Sequence, residues 1–222
     1  MNTLIRATPW DTVPLAMPTW ELLAYTEAAL QQSMQTPGHH TIKVSPLDNK
    51  KLLHDYGYYY CDTLIEPYCT ATRLRAAHHE QATVTKVCDA KQVLVMAHGV
   101  FAHGRFQRDF NLPEAAAELR YDTWLKQLLD EGNVYGLFSH GELAGFIGHA
   151  KNNLVLHAVA EKFRGKGLAK YWWSAVCGEL LSTPYTEVQS SISAGNLAVL
   201  NLYAGLGFSF RHPQDIYHRI VT

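Results

Sequence analysis

From Thr83 onward the chain switches repeatedly between the two-residue alternation of strands and the 3.6-residue spacing of helices. That alternation restricts it to a mixed α/β sheet flanked by helices. Thr83 to Cys88 reads as a strand, and Asp89 caps a helix through about Phe101. Pro113 opens a second helix reaching Asp130, with Leu119, Trp124, Leu125, Leu128 and Leu129 at roughly helical spacing. Val134 to Phe138 and Leu143 to Gly148 read as strands joined by the short connection Ser139-His140-Gly141-Glu142. Asn152-Asn153 turns the chain into a strand from Leu154 to Ala160. A helix from Leu168 to about Leu181, a strand from Tyr185 to Ile192, a helix from Asn196 to Ala204 and strand segments near Phe208 and Ile216 complete the order.

A polar stretch at Ala76 to Gln81 divides this region from an N-terminal one, which gives an α/β extension at 1–80 and a second unit at 81–222. Within the extension, Thr19 is placed to cap a helical run through about Gln32. Thr41 to Val44 reads as a strand, Leu47 to Tyr56 as a short helix ended by Gly57, and Tyr58 to Leu64 as a strand. The extension serves the acceptor side of a site or a homodimer contact.

The chain has 222 residues, 47 % hydrophobic and 18 % charged, with a formal net charge of −1. A chain of that length buries a substantial core without staples, and its bulk charge gives no reason to expect nucleic acid or an anionic membrane as partner. No apolar run approaches the roughly 20 residues that span a bilayer. The stretch from Met1 to Arg6 lacks a basic segment followed by an apolar core, so no secretory signal is expected. Cys61, Cys69, Cys88 and Cys177 are scattered, which fits reduced thiols in the cytoplasm. The twelve histidines lack zinc-ligand spacing, and the pairs His39-His40 and His78-His79 read as solvated loops, so no metal is expected.

The segment most informative about function runs from Val155 to Lys170, where a strand passes through a loop with two glycines into a helix. A helix N-terminus exposes unpaired N–H groups and partial positive charge, which attract phosphate. Gly165 and Gly167 let the backbone approach a ligand, and Arg164, Lys166 and Lys170 add positive charge. The spacing is neither that of a Walker loop nor that of a dinucleotide-binding Gly-x-Gly-x-x-Gly turn. Arg164, Gly167 and Ala169 fit Arg/Gln-x-x-Gly-x-Gly/Ala, which resembles motif A of the GNAT superfamily of N-acetyltransferases. Asn196 and Tyr203, seven apart and followed by Leu206-Gly207-Phe208, resemble that superfamily's second motif at the proper distance.

The resemblance implies a GNAT fold and acetyl-coenzyme A as co-substrate. It implies that the amides of Arg164, Gly165, Lys166, Gly167, Leu168, Ala169 and Lys170 hold the pyrophosphate. The pantetheine arm would pair with Ala158, Val159 and Ala160, an N–H near Val159 or Ala160 would polarise the thioester carbonyl, and Asn196 would bond the arm. Tyr203 is implied as the acid that protonates the leaving thiolate. Some relatives place a glutamate five residues before the asparagine, where this chain has Ser191. His157, on the face of Val155 and Val159, or His149 on the preceding strand, is left as the candidate base, unless the amine loses its proton to solvent.

His103-Gly104-Arg105-Phe106, followed by Asp109-Phe110 and a helix with Trp124, resembles a loop of the acetyltransferases that modify dTDP-linked amino sugars, of the dTDP-fucosamine type. The early Trp10-Asp11-Thr12 and the late Tyr217-His218 fit the same resemblance, although His103-Gly104 departs from the usual Ser or Gly-Ser. It implies a small-molecule amine acceptor in the form of a nucleotide sugar, within polysaccharide assembly. In that reading Arg105 contacts a phosphate or hydroxyl and Phe106 stacks on the sugar or base. The alternatives are a protein N-terminus or small polyamine as acceptor, or a coenzyme-binding module without turnover.

Overall fold

The computed structural model describes residues 3–222; Met1 and Asn2, which open the N-terminal stretch considered above, lie outside the described residues. The chain runs β1 (Ile5–Ala7), α1 (Pro9–Leu15), β2 (Thr19–Leu22), α2 (Glu27–Met34), β3 (Gly38–Val44), α3 (Lys51–Asp55) and β4 (Tyr59–Thr70). It continues with β5 (Ala82–Thr85), α4 (Ala90–Ala97), α5 (Glu114–Asp130), β6 (Val134–Ser139), β7 (Glu142–Ala150) and β8 (Asn153–Val159). A 3₁₀ turn (Glu161–Phe163) leads to α6 (Ala169–Leu181), β9 (Glu187–Ser190), β10 (Ile192–Ser193), α7 (Leu197–Gly205) and β11 (Ser209–Val221).

Among the described residues eleven strands share one mixed sheet, in the order β1-β2-β3-β11-β4-β9-β8-β7-β6-β5, with β10 paired to β4 beside that path. The N-terminal strands are therefore part of the same sheet as the rest. β4 lies between β9 and β11, antiparallel to both. One core, around Trp172, Trp173, Tyr135 and Tyr203, fills the space beneath α6 and α7. A second, around Leu125, Phe146, Tyr121 and Phe106, lies beneath α4 and α5. A third, around Leu30, Ile42 and Tyr58, belongs to the N-terminal strands.

The helices and strands expected after Thr83 form with ends shifted by a few residues, and Asp89 caps α4 by accepting from the amides of Lys91 and Gln92. The two late strand segments are one thirteen-residue strand, β11. The N-terminal reading needs more correction. Thr19 opens strand β2, its hydroxyl tied to Thr8, and the following helix begins only at Glu27, capped by Thr26. β2 pairs with β3, and that pairing overrides the local capping signal. His39 and His40 are not in a solvated loop; they are buried in β3.

Candidate active site

β8 and β9 run parallel but pair only at Asn153 with Gln189 and Leu154 with Ser190. Beyond Ser190 the strand breaks at Ser191, and β10 turns away to pair with Leu64 and Ile65 of β4. Residues 155–159 of β8 thus keep β7 on one side and, among the described residues, have no strand on the other. The result is a wedge in the middle of the sheet with main-chain groups facing into it.

The alternation of an antiparallel ladder decides which groups those are. Ala160 donates its N–H to the carbonyl of Ala144 at 2.8 Å. By alternation Ala158 also faces β7, while the N–H groups of His157 and Val159 face the wedge. Of the two positions expected to polarise a carbonyl, Ala160 is corrected: its proton is already taken. Val159 keeps its N–H free, and its carbonyl accepts from Arg164 Nε at 2.8 Å.

That Arg164 bond folds the next loop back onto the strand end. Gly165 and Gly167 both adopt positive φ, +72° and +71°, with open space where a Cβ would stand. None of the backbone N–H groups of residues 165–170 finds an acceptor among the described residues. A run of unpaired amides at the start of the thirteen-residue α6 is an anion cradle. Its donors suit a diphosphate.

Across the wedge, Asn196 caps α7, its Oδ1 accepting from the Val199 amide. Tyr203, two turns further on, is wholly buried against Phe208, with ring centroids 4.7 Å apart. Its hydroxyl lies 3.4 Å from Nε2 of His157. The phenol thus reaches the wedge through His157 and does not itself line the open cavity. Burial raises the Tyr203 phenol well above its ordinary range. It lowers His157 to about 4, so this imidazole is neutral at physiological pH. His149, in β7, is tilted against Tyr135 and bonded to the Lys151 carbonyl. It is not among the cavity residues.

The wedge opens into a cavity of about 350 Å³ walled by His157, Ser193 and Asn196 on one side and by Arg105, Phe106, Arg120 and Trp124 on the other. Arg120 lies 4.5 Å over the Trp124 ring and donates to Asp11 at 2.8 Å, which gives the early Trp10-Asp11-Thr12 its structural role. Arg105 stacks 4.8 Å over Phe106 and has no hydrogen-bond or ion-pair partner among the described residues. Phe106 needs correction. Only 3 % exposed and packed by His39, His218, Tyr121 and Arg120, it is a wall of the cavity and has no face left for a sugar or base to stack on.

The loop carrying Arg105 and Phe106 is anchored by Asp109, which sequence reasoning did not assign. Its Oδ2 accepts from His218 Nδ1 at 2.8 Å and His39 Nε2 at 3.1 Å, and its Oδ1 from the Tyr59 hydroxyl at 2.9 Å. Burial opposes ionisation of Asp109, but the two imidazole donors outweigh it and hold the carboxyl well below its ordinary range. Asp62 and Arg120 were likewise missed, because their partners Ser193 and Asp11 come from distant parts of the chain.

Residues 102–208 match the model of the acetyltransferase (GNAT) family. Over this stretch, just under half of the chain, the sequence is similar to GNAT acetyltransferases. Solved structures share the fold over nearly the whole chain. A GCN5-related N-acetyltransferase from Sphaerobacter thermophilus is 11 % identical with a TM-score of 0.65, covering 97 % of this chain and 76 % of its own. A GNAT-family acetyltransferase from Colwellia psychrerythraea is 15 % identical with a TM-score of 0.55, covering 90 % and 77 %. A functionally unknown conserved protein from Staphylococcus epidermidis is 14 % identical with a TM-score of 0.68, covering 100 % and 93 %. Among curated proteins no match is found. The GNAT family uses acetyl-coenzyme A and a small-molecule acceptor; among the described residues of this chain no helix is long and apolar enough to cross a membrane.

Proposed function

We propose that this protein transfers an acetyl group from acetyl-coenzyme A to a primary amine whose other end is anionic, a dTDP-linked amino-deoxy sugar being the candidate acceptor. The observation that carries the reading is the continuity of three features: the free amides of residues 165–170, the one-sided strand at 155–159, and a cavity beyond it walled by Arg105 and Arg120. The amides hold the diphosphate, and the Val159 N–H supports the carbonyl oxygen as it gains charge, which is worth about 3 kcal/mol in a transition state. Asn196 bonds the arm through its free amide group. Tyr203 gives its proton to the leaving sulfur, with His157 as the group linking the buried phenol to the wedge.

Arg105, lacking a partner of its own, is suited to an acceptor phosphate, and Trp124 supplies the aromatic face that Phe106 does not. A polyamine would meet two guanidinium groups in this cavity, which disfavours that alternative. Four unpaired cysteines fit a reducing cytoplasm.

Two measurements test the reading. Calorimetry with coenzyme A should give saturable heat, reduced by Gly167→Val. Thiol release from acetyl-coenzyme A should then appear with anionic amines, dTDP-4-amino-4,6-dideoxygalactose above the rest, and be weak with spermidine. No heat with coenzyme A, or no thiol release with any amine, overturns it.

A further inference from the structure

Asp62 stands on β4, where the N-terminal segment crosses the floor of the cavity, and it is only 1 % exposed. Its two carboxylate oxygens differ. Oδ1 accepts from the Thr63 amide at 2.9 Å, the Ser193 hydroxyl at 2.8 Å and Arg108 Nη1 at 2.6 Å. Oδ2 is buried and has no partner among the described residues. An orphaned buried carboxylate oxygen is destabilising unless a ligand completes it. Asp62 lines the same cavity as His157 and Arg105. The three bonds at Oδ1 fix the carboxylate rigidly, and what Oδ2 lacks is a donor, ideally a cationic one.

We propose that Asp62 receives the acceptor's ammonium at Oδ2 and is the base that removes its proton. The inference rests on the acetyl-transfer reading and adds to it the group that neither Ser191 nor the weakly basic His157 supplies. The acceptor enters as R–NH₃⁺, and one proton passes to Oδ2. The freed nitrogen lone pair forms a bond to the acetyl carbonyl carbon. When the carbon–sulfur bond breaks, its electron pair stays on sulfur, which takes the Tyr203 hydroxyl proton. That proton reaches sulfur by way of His157, and the nitrogen gives up its second proton, which restores the phenol by the same route. Asp62 then releases its proton to water, so each turnover yields an amide, a thiol and one solvent proton. The opposite charge of the cavity, Arg105, receives the acceptor's anionic end, and this pairing selects amines that also carry negative charge.

Burial raises the Asp62 carboxyl above its ordinary value, offset in part by Ser193, Arg108 and the Thr63 amide, which brings it closer to the pKa range useful for a base. The titratable and charged groups facing it are Arg105 and Arg108 of the loop, Tyr121 of α5 and His157 of β8. β10 and β11 present Ser193 and Ile216, which do not titrate in this range.

The test is Asp62→Asn, which keeps shape and an oxygen for the three Oδ1 donors. Coenzyme A affinity should be unchanged, while kcat/KM for anionic amines falls by about 10²–10⁴-fold. The wild-type loss of kcat/KM on acidification should disappear in the variant. In parallel, the ¹³C carboxyl resonance of Asp62 in the wild-type protein should shift on adding 2-aminoethyl phosphate and stay still with 2-hydroxyethyl phosphate. A variant that turns over amines at the wild-type rate overturns the proposal. Should the wild type release no thiol with any amine, the acetyl-transfer reading falls by itself. The resonance then decides for Asp62: movement with the amine alone upholds an ammonium site, and no movement rejects it.

Discussion

Tyr203 and Asp109 are both wholly buried, yet a conservative change at each should have a different outcome. Tyr203→Phe removes one hydroxyl from a packed ring, so we expect an unchanged coenzyme A affinity and a kcat lower by about 10²-fold or more; a wild-type kcat would rule out its role as acid. Asp109→Asn instead leaves two imidazoles and the Tyr59 phenol sharing one oxygen. Breaking a buried pair costs about 3 kcal/mol or more, which at this size lowers the Tm by roughly 6–12 °C in a thermal melt. The Arg105 loop loses its anchor with it, so the acceptor KM should rise while coenzyme A binding holds. The two residues also differ in how far the sequence reveals them. Asn196 and Tyr203 sit seven apart in a motif, so their spacing alone draws attention. Asp62 and Asp109 gain meaning only from Ser193, His39 and His218, tens of residues or more than a hundred away, and no local pattern marks them.

The strand-loop-helix from β8 to α6 is the element most legible in the sequence, because its glycines, its charges and its helix start all act locally. Gly167→Val tests it as a unit. A β-branched side chain at φ +71° costs roughly 1–2 kcal/mol in strain and reshapes the amide run, so coenzyme A affinity should fall at least tenfold by calorimetry. The wedge was less legible. Periodicity predicts two strands at Leu154 to Ala160 and Tyr185 to Ile192, but not that they part after two residue pairs; that depends on β10 being drawn off by β4. β2 was misread for the same reason, since a Thr-Trp-Glu-Leu run becomes a strand only through β3. Likewise His39 and His40 are polar by type and buried by position, satisfied by Asp109 and by the Thr36 carbonyl.

Over the whole molecule, buried neutral histidines govern the response to acid. His157 is held at about 4 by burial, and His218 is also lowered, chiefly by burial. Unfolded histidine titrates near 6.5. Both folded values lie below the unfolded one, so this stability is fully present above about pH 6.5 and is lost as pH falls towards the folded values. The slope is about 1.4 kcal/mol per pH unit for each histidine, and the urea midpoint should drop between pH 7 and pH 5. The division at residue 80, plain in the sequence, has no counterpart in the sheet. A fragment of 81–222 would lack the strand between β9 and β11 and leave both with open edges. We expect it to aggregate, and to recover solubility, by light scattering, when residues 1–80 are supplied in trans. The interposed β4 also sets an order of events. Tyr68 must find Ser209 and Leu64 must find Gln214, partners separated by most of the chain's length. During synthesis the first strand of that pair waits outside the ribosome until the last has emerged, because long-range pairing cannot begin earlier. Since Asp62 lies on the waiting strand, the cavity floor is the last part of the site to assemble, and a chain cut short near its C-terminus would carry a complete diphosphate loop with nowhere to deliver the acetyl group.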